Sequence, residues 1–157
     1  MMVYTTLRNI CLSLLLISLT LGITTSCQKE KIEIIPNMPK IELVSISSDT
    51  ITEFEEALII TISYEDGDGD LGFEETDQYA LFVRDIRLME FDGFYLGPIL
   101  PPNEIAPIIG ELNVKFPNLF VFGNSDSEIT HFEIKMIDRS MNESNVISTK
   151  DILIVKP

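Results

Sequence analysis

Hydrophobic and polar residues alternate with a period of two in several short stretches between residue 41 and the end of the chain. In GELNVKF (110–116), Leu112, Val114 and Phe116 alternate with polar residues. The other stretches of this kind are 41–48, 57–65, 78–88, 130–138 and 146–156. Because successive side chains of a strand point to opposite faces, the pattern predicts antiparallel strands with one buried and one solvated face.

The spacing of these stretches and the lack of helical periodicity favour one fold class. Turn-forming residues separate the stretches at short intervals, which is typical of a β-sandwich. No segment follows the period of an α-helix, and ITEFEEA (51–57) is expected to form at most one short turn. The sequence therefore predicts an all-β, antiparallel β-sandwich of about seven strands.

The N-terminal segment has a different pattern. Arg8 is the only charged residue before an apolar run from Ile10 to Ile23, and small polar residues at 24–26 precede Cys27. A positive start, an apolar middle and small residues before a cleavage site are typical of a secretory signal peptide. A membrane-spanning helix needs about 20 apolar residues, and polar residues interrupt this run. We expect residues 1–26 to be cleaved, with an uncleaved anchor helix as the alternative.

Cys27 makes the signal more specific. With Ser26 before it, Cys27 resembles the lipobox of bacterial lipoproteins, and the QKEK that follows is similar to the surface-export signal of lipoproteins from the Bacteroidota. The resemblance implies that Cys27 is diacylated and becomes the mature N-terminus. It also implies anchoring to the outer membrane on its surface-exposed or periplasmic face. The prolines and mixed charge of the residues after Cys27 predict a tether at 27–40, before a domain at 41–157.

Net charge limits the classes of partner, and the number of cysteines limits the possible disulfides. The chain has 25 acidic and 11 basic residues and a formal net charge of −14, and loss of the signal peptide removes one further positive charge. A protein this acidic repels phosphate backbones, so we expect no nucleic-acid partner. Cys11 lies in the signal peptide and Cys27 is assigned to lipid, which leaves no pair for a disulfide in the mature domain.

The C-terminal region carries a second resemblance. FEIKMIDRSMNESNVIST (132–149) resembles the last two strands of immunoglobulin-like or fibronectin-III-like bacterial modules, through Asp138, Arg139, Asn142, Ser144 and Asn145. Asn and Ser favour tight turns in any family, so this cluster also predicts a chain reversal. The resemblance implies an immunoglobulin-like β-sandwich over residues 41–157.

The strongest candidate for chemistry is the acidic segment YEDGDGDLGFEETD (64–77). Seven of its residues are acidic and none is basic. Hard cations such as Ca²⁺ prefer carboxylate and carbonyl oxygens, and glycines allow the tight backbone that turns such groups inward. The spacing matches the ligand positions of an EF-hand calcium loop, and the predicted ligands are Asp66, Asp68, Asp70, Glu74 and Asp77.

The departures from an EF-hand separate two interpretations. Leu71 occupies the position that requires glycine, Gly72 comes one residue late, and strands flank the loop. The segment is instead similar to Asp-Gly-Asp-Gly-Asp loops of extracellular β-rich modules, where Ca²⁺ often makes a loop rigid. The first hypothesis is a Ca²⁺ site, and the alternative is a solvated turn whose Gly and Asp residues only reverse the chain.

Nothing in the sequence predicts catalysis. His131 is the single histidine, and alternation places it on the polar face of a strand. Motifs for a nucleophilic serine, a phosphate loop or a histidine zinc pair are absent from the sequence. We therefore expect a binding or accessory module without enzymatic activity, and the weaker alternative is a small hydrolase that uses the carboxylates of the acidic loop.

A proline-rich segment, FDGFYLGPILPPNEIAP (91–107), is the candidate for ligand contact. Prolines oppose regular strand pairing, and long loops in compact domains are either functional or packed over the core. Phe94 and Tyr95 are the residues expected to contact a protein or glycan partner if the loop forms an exposed lip. The other outcomes are a loop packed on the sandwich, or an apolar patch by which the chain serves as a scaffolding subunit of an envelope complex.

Overall fold

The computed structural model describes residues 35–157. The predicted signal peptide, the lipidation site at Cys27 and most of the predicted tether lie outside the described residues, so those three expectations stay predictions. Within residues 35–157 no helix is long and apolar enough to cross a membrane.

The described residues form an all-β fold without helices. Its ten strands are β1 (Lys40–Ile46), β2 (Thr50–Thr52), β3 (Leu58–Asp66), β4 (Leu81–Asp85), β5 (Asp92–Phe94), β6 (Ile108–Phe116), β7 (Ser127–Thr130), β8 (Phe132–Met136), β9 (Ile147–Ser148) and β10 (Ile152–Val155). About seven strands were expected. The larger number arises because the short β2 and β5 lie outside the predicted stretches, β7 precedes the stretch at 130–138 except for Thr130, and the stretch at 146–156 is divided. His131 separates β7 from β8, and residues 149–151 separate β9 from β10.

The strands are arranged in three sheets, and the result is sandwich-like. One sheet has the order β1-β3-β6, the second β2-β10-β7 and the third β5-β4-β8-β9. All pairs are antiparallel except β2 with β10, which is parallel. The nine-residue pairing of β3 with β6 runs without a break from Leu58 opposite Phe116 to Asp66 opposite Ile108.

The predicted alternation is confirmed by burial along the central strands. On β3, Leu58, Ile60 and Ile62 are fully buried, and on β8 the inward residues are Ile134 and Met136. The buried apolar residues from all three sheets form one cluster within the described residues. This segment therefore carries a hydrophobic core of its own, as an independently folding domain does.

A β-bulge explains an irregularity in the first predicted strand. The register of β1 against β3 shifts between Leu43 and Ser45, so Val44 is left without a partner and is half exposed. An extra residue of this kind moves the following side chains to the opposite face. Ile46 thereby returns to the core, against which it packs.

One edge of the first sheet is covered by a side chain. The Ile41 amide donates to Asn145 Oδ1 at 3.0 Å, and Asn145 Nδ2 donates to the Ile41 carbonyl at 2.8 Å. The amide group of Asn145 thus satisfies both backbone groups of an edge residue, as a neighbouring strand would. Asn145 belongs to the motif that carried the immunoglobulin-like resemblance, and this contact gives it a structural role.

The proline-rich segment is divided between strand and loop. It begins with the short β5, and beyond that strand Leu96, Ile99 and Leu100 pack against the core. Phe94 and Tyr95 are both more than one third exposed. The segment therefore packs on the sandwich through its later apolar residues, while its aromatic start stays accessible.

Candidate metal centre

The acidic loop begins where β3 ends, at a position that alternation assigns to the core. Counting inward residues from Leu58 in steps of two reaches Asp66, whose exposed fraction is 0%. The Asp70 amide donates to Asp66 Oδ2 at 2.9 Å and closes a tight turn between them. A carboxylate therefore occupies the end of a core-facing row that is otherwise apolar and aromatic.

Two glycines in the loop are required by backbone geometry. Gly69 has φ +73° and Gly72 has φ +85°, which is the left-handed region that favours glycine. A Cβ on Gly72 would lie 2.2 Å from the Gly97 carbonyl oxygen, and one on Gly69 would lie 2.3 Å from that of Ala106. Leu71 between them is fully buried, so the residue at the expected glycine position is a core anchor.

The loop brings three carboxylates together, and one comes from a distant part of the chain. Asp66, Asp70 and Asp138 each offer an oxygen within 4.8 Å of the other two. Asp138 follows β8 and forms an isolated antiparallel bridge with Leu71. Like Asp66, it has an exposed fraction of 0% and extends the inward row of its strand by one position beyond Met136.

Three buried oxygens of the loop have no hydrogen-bond partner. They are Asp66 Oδ1, Asp68 Oδ1 and Asp70 Oδ1. A buried acceptor without a partner costs about 1–3 kcal/mol, and more when it is charged, so native structures rarely leave one unexplained. A cation that takes all three oxygens as ligands would account for them together.

Surrounding polar groups hold the carboxylates in place. Asn142 donates to Asp138 twice, from its amide at 2.7 Å and from Nδ2 at 2.9 Å. Ser140 donates to Asp70 Oδ2 from its amide at 3.0 Å and from Oγ at 2.7 Å. Such contacts orient metal ligands and tune their affinity.

Two basic side chains bond the acidic segment 64–77 within the described residues: Lys40 pairs with Glu65 at its start, and Arg139 binds the backbone of the loop. Its Nη1 donates to the Gly72 carbonyl at 3.2 Å and its Nη2 to the Gly69 carbonyl at 3.4 Å. The guanidinium therefore binds the backbone of the loop and leaves the three unpartnered carboxylate oxygens unbonded. Within residues 35–157 no basic side chain forms an ion pair with Asp66, Asp70 or Asp138.

The pKa values reflect this accumulation of negative charge. Burial, followed by the neighbouring charges of Asp68 and Asp70, raises the pKa of Asp66 to about 6. Burial also raises the pKa of Asp138, and the charges of Asp70 and Asp68 add to this against the opposing hydrogen bonds from Asn142. Both directions mean that ionisation of the buried cluster is unfavourable without a cation.

The donor set fits Ca²⁺. Ca²⁺ takes six to eight oxygen ligands in flexible geometry, whereas Mg²⁺ requires a near-ideal octahedron and usually keeps several waters. Zn²⁺ prefers nitrogen and sulfur ligands, which this cluster lacks. Asp66, Asp68, Asp70 and Asp138 would hold the ion, and backbone carbonyls or water would complete its coordination.

The structure brings together only some of the five metal ligands that were predicted from the spacing of the loop. Asp66 and Asp70 lie in the cluster, and Asp68 contributes a buried unpartnered oxygen. Glu74 and Asp77 are exposed and lie outside the cluster. Asp138 was missed because the spacing rule considers one continuous loop, although the inward alternation of residues 132–138 was a signal that could have found it.

The other predicted functional residues lie away from this cluster. Phe94 lines a cavity of about 200 Å³ between the sheets. The next residue, Tyr95, is exposed on the surface and does not line this cavity. His131 Nδ1 lies 3.5 Å from Asp151 Oδ1, and both side chains are accessible to solvent. Neither aromatic residue is part of the candidate metal centre.

Comparison of the chain with protein-family models, curated proteins and solved structures finds no match. The candidate centre is therefore interpreted from its own geometry and chemistry.

Proposed function

We propose that this chain is a lipid-anchored binding or accessory module of the cell envelope, stabilised by Ca²⁺ at the acidic loop and without catalytic activity. Four carboxylates from two segments, three of them with a buried unpartnered oxygen, support the ion site. The lipobox-like sequence around Cys27 supports the anchor and the outer-membrane location. The partner is a protein or glycan at the envelope, not a nucleic acid, in keeping with the net charge of −14.

The strand order supports an immunoglobulin-like form of the sandwich. β7 and β8 are consecutive around His131, and they pair with β10 and β9 respectively. When each divided strand is counted once, one layer has the order β1-β3-β6 and the other β5-β4-β8-β9, continued by β10 and β2. This order is similar to that of the A-B-E and C-F-G layers of immunoglobulin-like domains, with seven strands plus the short β2, and supports the proposal.

The three unpartnered oxygens are the observation that carries the calcium proposal. A solvated turn would expose its carboxylates to water, whereas these oxygens are buried. Extracellular modules bind Ca²⁺ with Kd of about 10⁻⁴–10⁻³ M, and we expect an affinity in this range.

A bound ion would stabilise several segments at once. The Gly67 amide donates to the Pro36 carbonyl at 2.8 Å, and the Ala106 amide donates to the Asp68 carbonyl at 3.3 Å. The Arg139 amide donates to the Asp70 carbonyl at 3.1 Å. The acidic loop thus joins the end of the tether, the proline-rich segment and the turn after β8, so Ca²⁺ would make all three more rigid.

Calcium titration by isothermal calorimetry tests the ion site. The domain from residue 28 to 157 should bind one Ca²⁺, and Asp70→Asn should weaken or abolish binding. Asp77→Asn is the matched control, since it makes the same chemical change at an exposed position outside the cluster. Absence of heat and of any stabilisation by millimolar Ca²⁺ would refute the site.

Mass spectrometry of the protein purified from a bacterial membrane tests the anchor. The proposal predicts an N-terminal acylated Cys27 and loss of membrane association in Cys27→Ala. An unmodified N-terminus that begins at Met1 would contradict it.

A further inference from the structure

The two edges of the first sheet differ. At β1, Asn145 satisfies both backbone groups of Ile41. At the opposite edge, the nine-residue β6 pairs with β3 alone, and within residues 35–157 no backbone hydrogen bond reaches β6 from its outer side. A long open edge presents unpaired amides and carbonyls, which native proteins usually cover or use for strand addition.

A cavity lies beside this open edge, between the two layers. It has a volume of about 200 Å³, and its apolar wall comes from Phe116 at the end of β6, Phe94 on β5, Val83 on β4 and Phe132 on β8. β5 is the edge strand of the facing sheet. The volume is below the roughly 300–1,000 Å³ of typical small-molecule pockets, so the cavity suits one side chain.

The apolar surface continues outward from the cavity. Phe120 and Phe122 line it, and Phe54 stacks on Phe120 with ring centroids 5.7 Å apart. All three rings are more than one third exposed. Phe54 has φ +59°, which is rare for a bulky residue, and it lies in the turn after β2 that the Glu55 and Glu56 amides close onto the Thr52 carbonyl.

The charges around the cavity select its occupant. Arg87 is bonded to both Asp85 and Glu128, so its single positive charge is exceeded by two negative ones. Asp92 adds a further carboxylate on the cavity wall. Its backbone pairs with Val83 of β4, while its side chain forms no hydrogen bond or ion pair within the described residues. A cationic side chain with an aliphatic stem complements both the phenyl rings and this carboxylate.

We infer that the β6 edge binds an extended basic segment of a partner protein, which pairs with β6 as an added strand and places a Lys or Arg side chain in the cavity. Backbone hydrogen bonds along β6 supply affinity, while the cavity and Asp92 supply specificity. This identifies the partner class of the binding module proposed above, and it rests on that proposal. It does not depend on the ion, because the calcium ligands lie outside the cavity lining.

The test uses the domain from residue 28 to 157 and a capped peptide in which Lys and Val alternate. Binding is followed by backbone amide NMR shifts, which should concentrate on residues 108–116 and on those lining the cavity. Replacing the Lys residues by norleucine should weaken binding about three- to tenfold through loss of the charge–ring interaction.

The variant Asp92→Asn should weaken peptide binding about two- to fivefold, the range for one accessible ion pair, without loss of folding because Asp92 is exposed. Asp77→Asn is the matched control and should bind as the parent does.

Absence of binding, shifts located elsewhere, or equal affinity for the norleucine peptide would overturn the inference. Calcium binding in the same samples shows whether the proposed function survives such a failure. Pairing of β6 with a second copy of the chain, detected as a dimer, would also overturn it.

Discussion

Asp66 and Asp138 stand at matching places on facing sheets, and their carboxylates approach within 4.8 Å of each other. Each follows, in steps of two, the inward row of its strand, on β3 and β8 respectively. At this end of the sandwich the core therefore finishes in a pair of buried carboxylates. The acidic loop therefore belongs to a site whose carboxylates are held by the ends of two strands, β3 and β8.

Asp138→Asn should reduce calcium affinity, although the residue lies far from the acidic loop in sequence. The substitution removes one negative charge from the cluster and keeps the shape of the side chain. Calorimetric titration should show at least the roughly 10–100-fold loss that removal of a residue orienting the ligands causes. Asn142→Ala, which removes a side-chain hydrogen bond to Asp138, should lower affinity in the same direction. Unchanged affinity in Asp138→Asn would remove this residue from the site.

Glu74→Gln and Asp77→Asn should leave calcium affinity within about twofold of the parent, because exposed charges outside the cluster contribute little. The same titration that measures Asp138→Asn tests this. A large loss in Asp77→Asn would show that the continuous EF-hand-like spacing describes the site better than the cluster with Asp138.

The metal-free domain should become more stable as the pH falls from about 7.5 toward 5. Burial and the charges of Asp68 and Asp70 raise the pKa of Asp66 from 3.8 to about 6. The folded state therefore holds this proton more tightly than the unfolded state, and the stabilisation is lost as the pH rises through about 6.

Calcium should reverse this trend, because protons compete with the ion for the same oxygens. Thermal unfolding in chelator and in Ca²⁺, across this pH range, measures both effects. In the Asp66→Asn variant without metal, the part of the pH dependence of stability that comes from the Asp66 carboxyl should disappear. A parent whose stability in chelator falls steadily from pH 7.5 to 5 would contradict the buried, raised-pKa carboxylate.

Asn145→Ala should destabilise the domain by about 1–3 kcal/mol, because it removes two hydrogen bonds to the β1 edge. Denaturant unfolding measures the loss of stability. Asn142→Ala is the comparison variant: it removes a hydrogen bond at the carboxylate cluster and not at the β1 edge, so it shows how much stability depends on the cluster. A change below about 0.5 kcal/mol would show that water replaces the side chain at this edge.

The alternation of hydrophobic and polar residues predicted most of the strands. Rules based on local sequence failed where the structure depends on contacts between residues distant in sequence. The inward rows of β3, β6 and β8 were readable because the side-chain period of a strand is fixed. The short strands β2, β5 and β7 and the division of the stretch at 146–156 were not, since tertiary pairing decides where short strands form and break. The acidic loop was recognised from composition, and alternation indicates that Asp138 is buried. Its place beside Asp66 and Asp70 depends on a contact between distant parts of the chain, the pairing of Leu71 with Asp138.

The most direct test of the calcium site is the thermal unfolding of the domain from residue 28 to 157 in chelator and in millimolar Ca²⁺ at pH 7.5. An ion that binds only the folded state adds about 1.4 kcal/mol at ten times its Kd. For a domain of this size that raises Tm by about 3–6 °C. The account predicts this increase for the parent and for Asp77→Asn, and its loss in a combined Asp70→Asn and Asp138→Asn variant. An equal Tm in chelator and in 10 mM Ca²⁺ for the parent would contradict it.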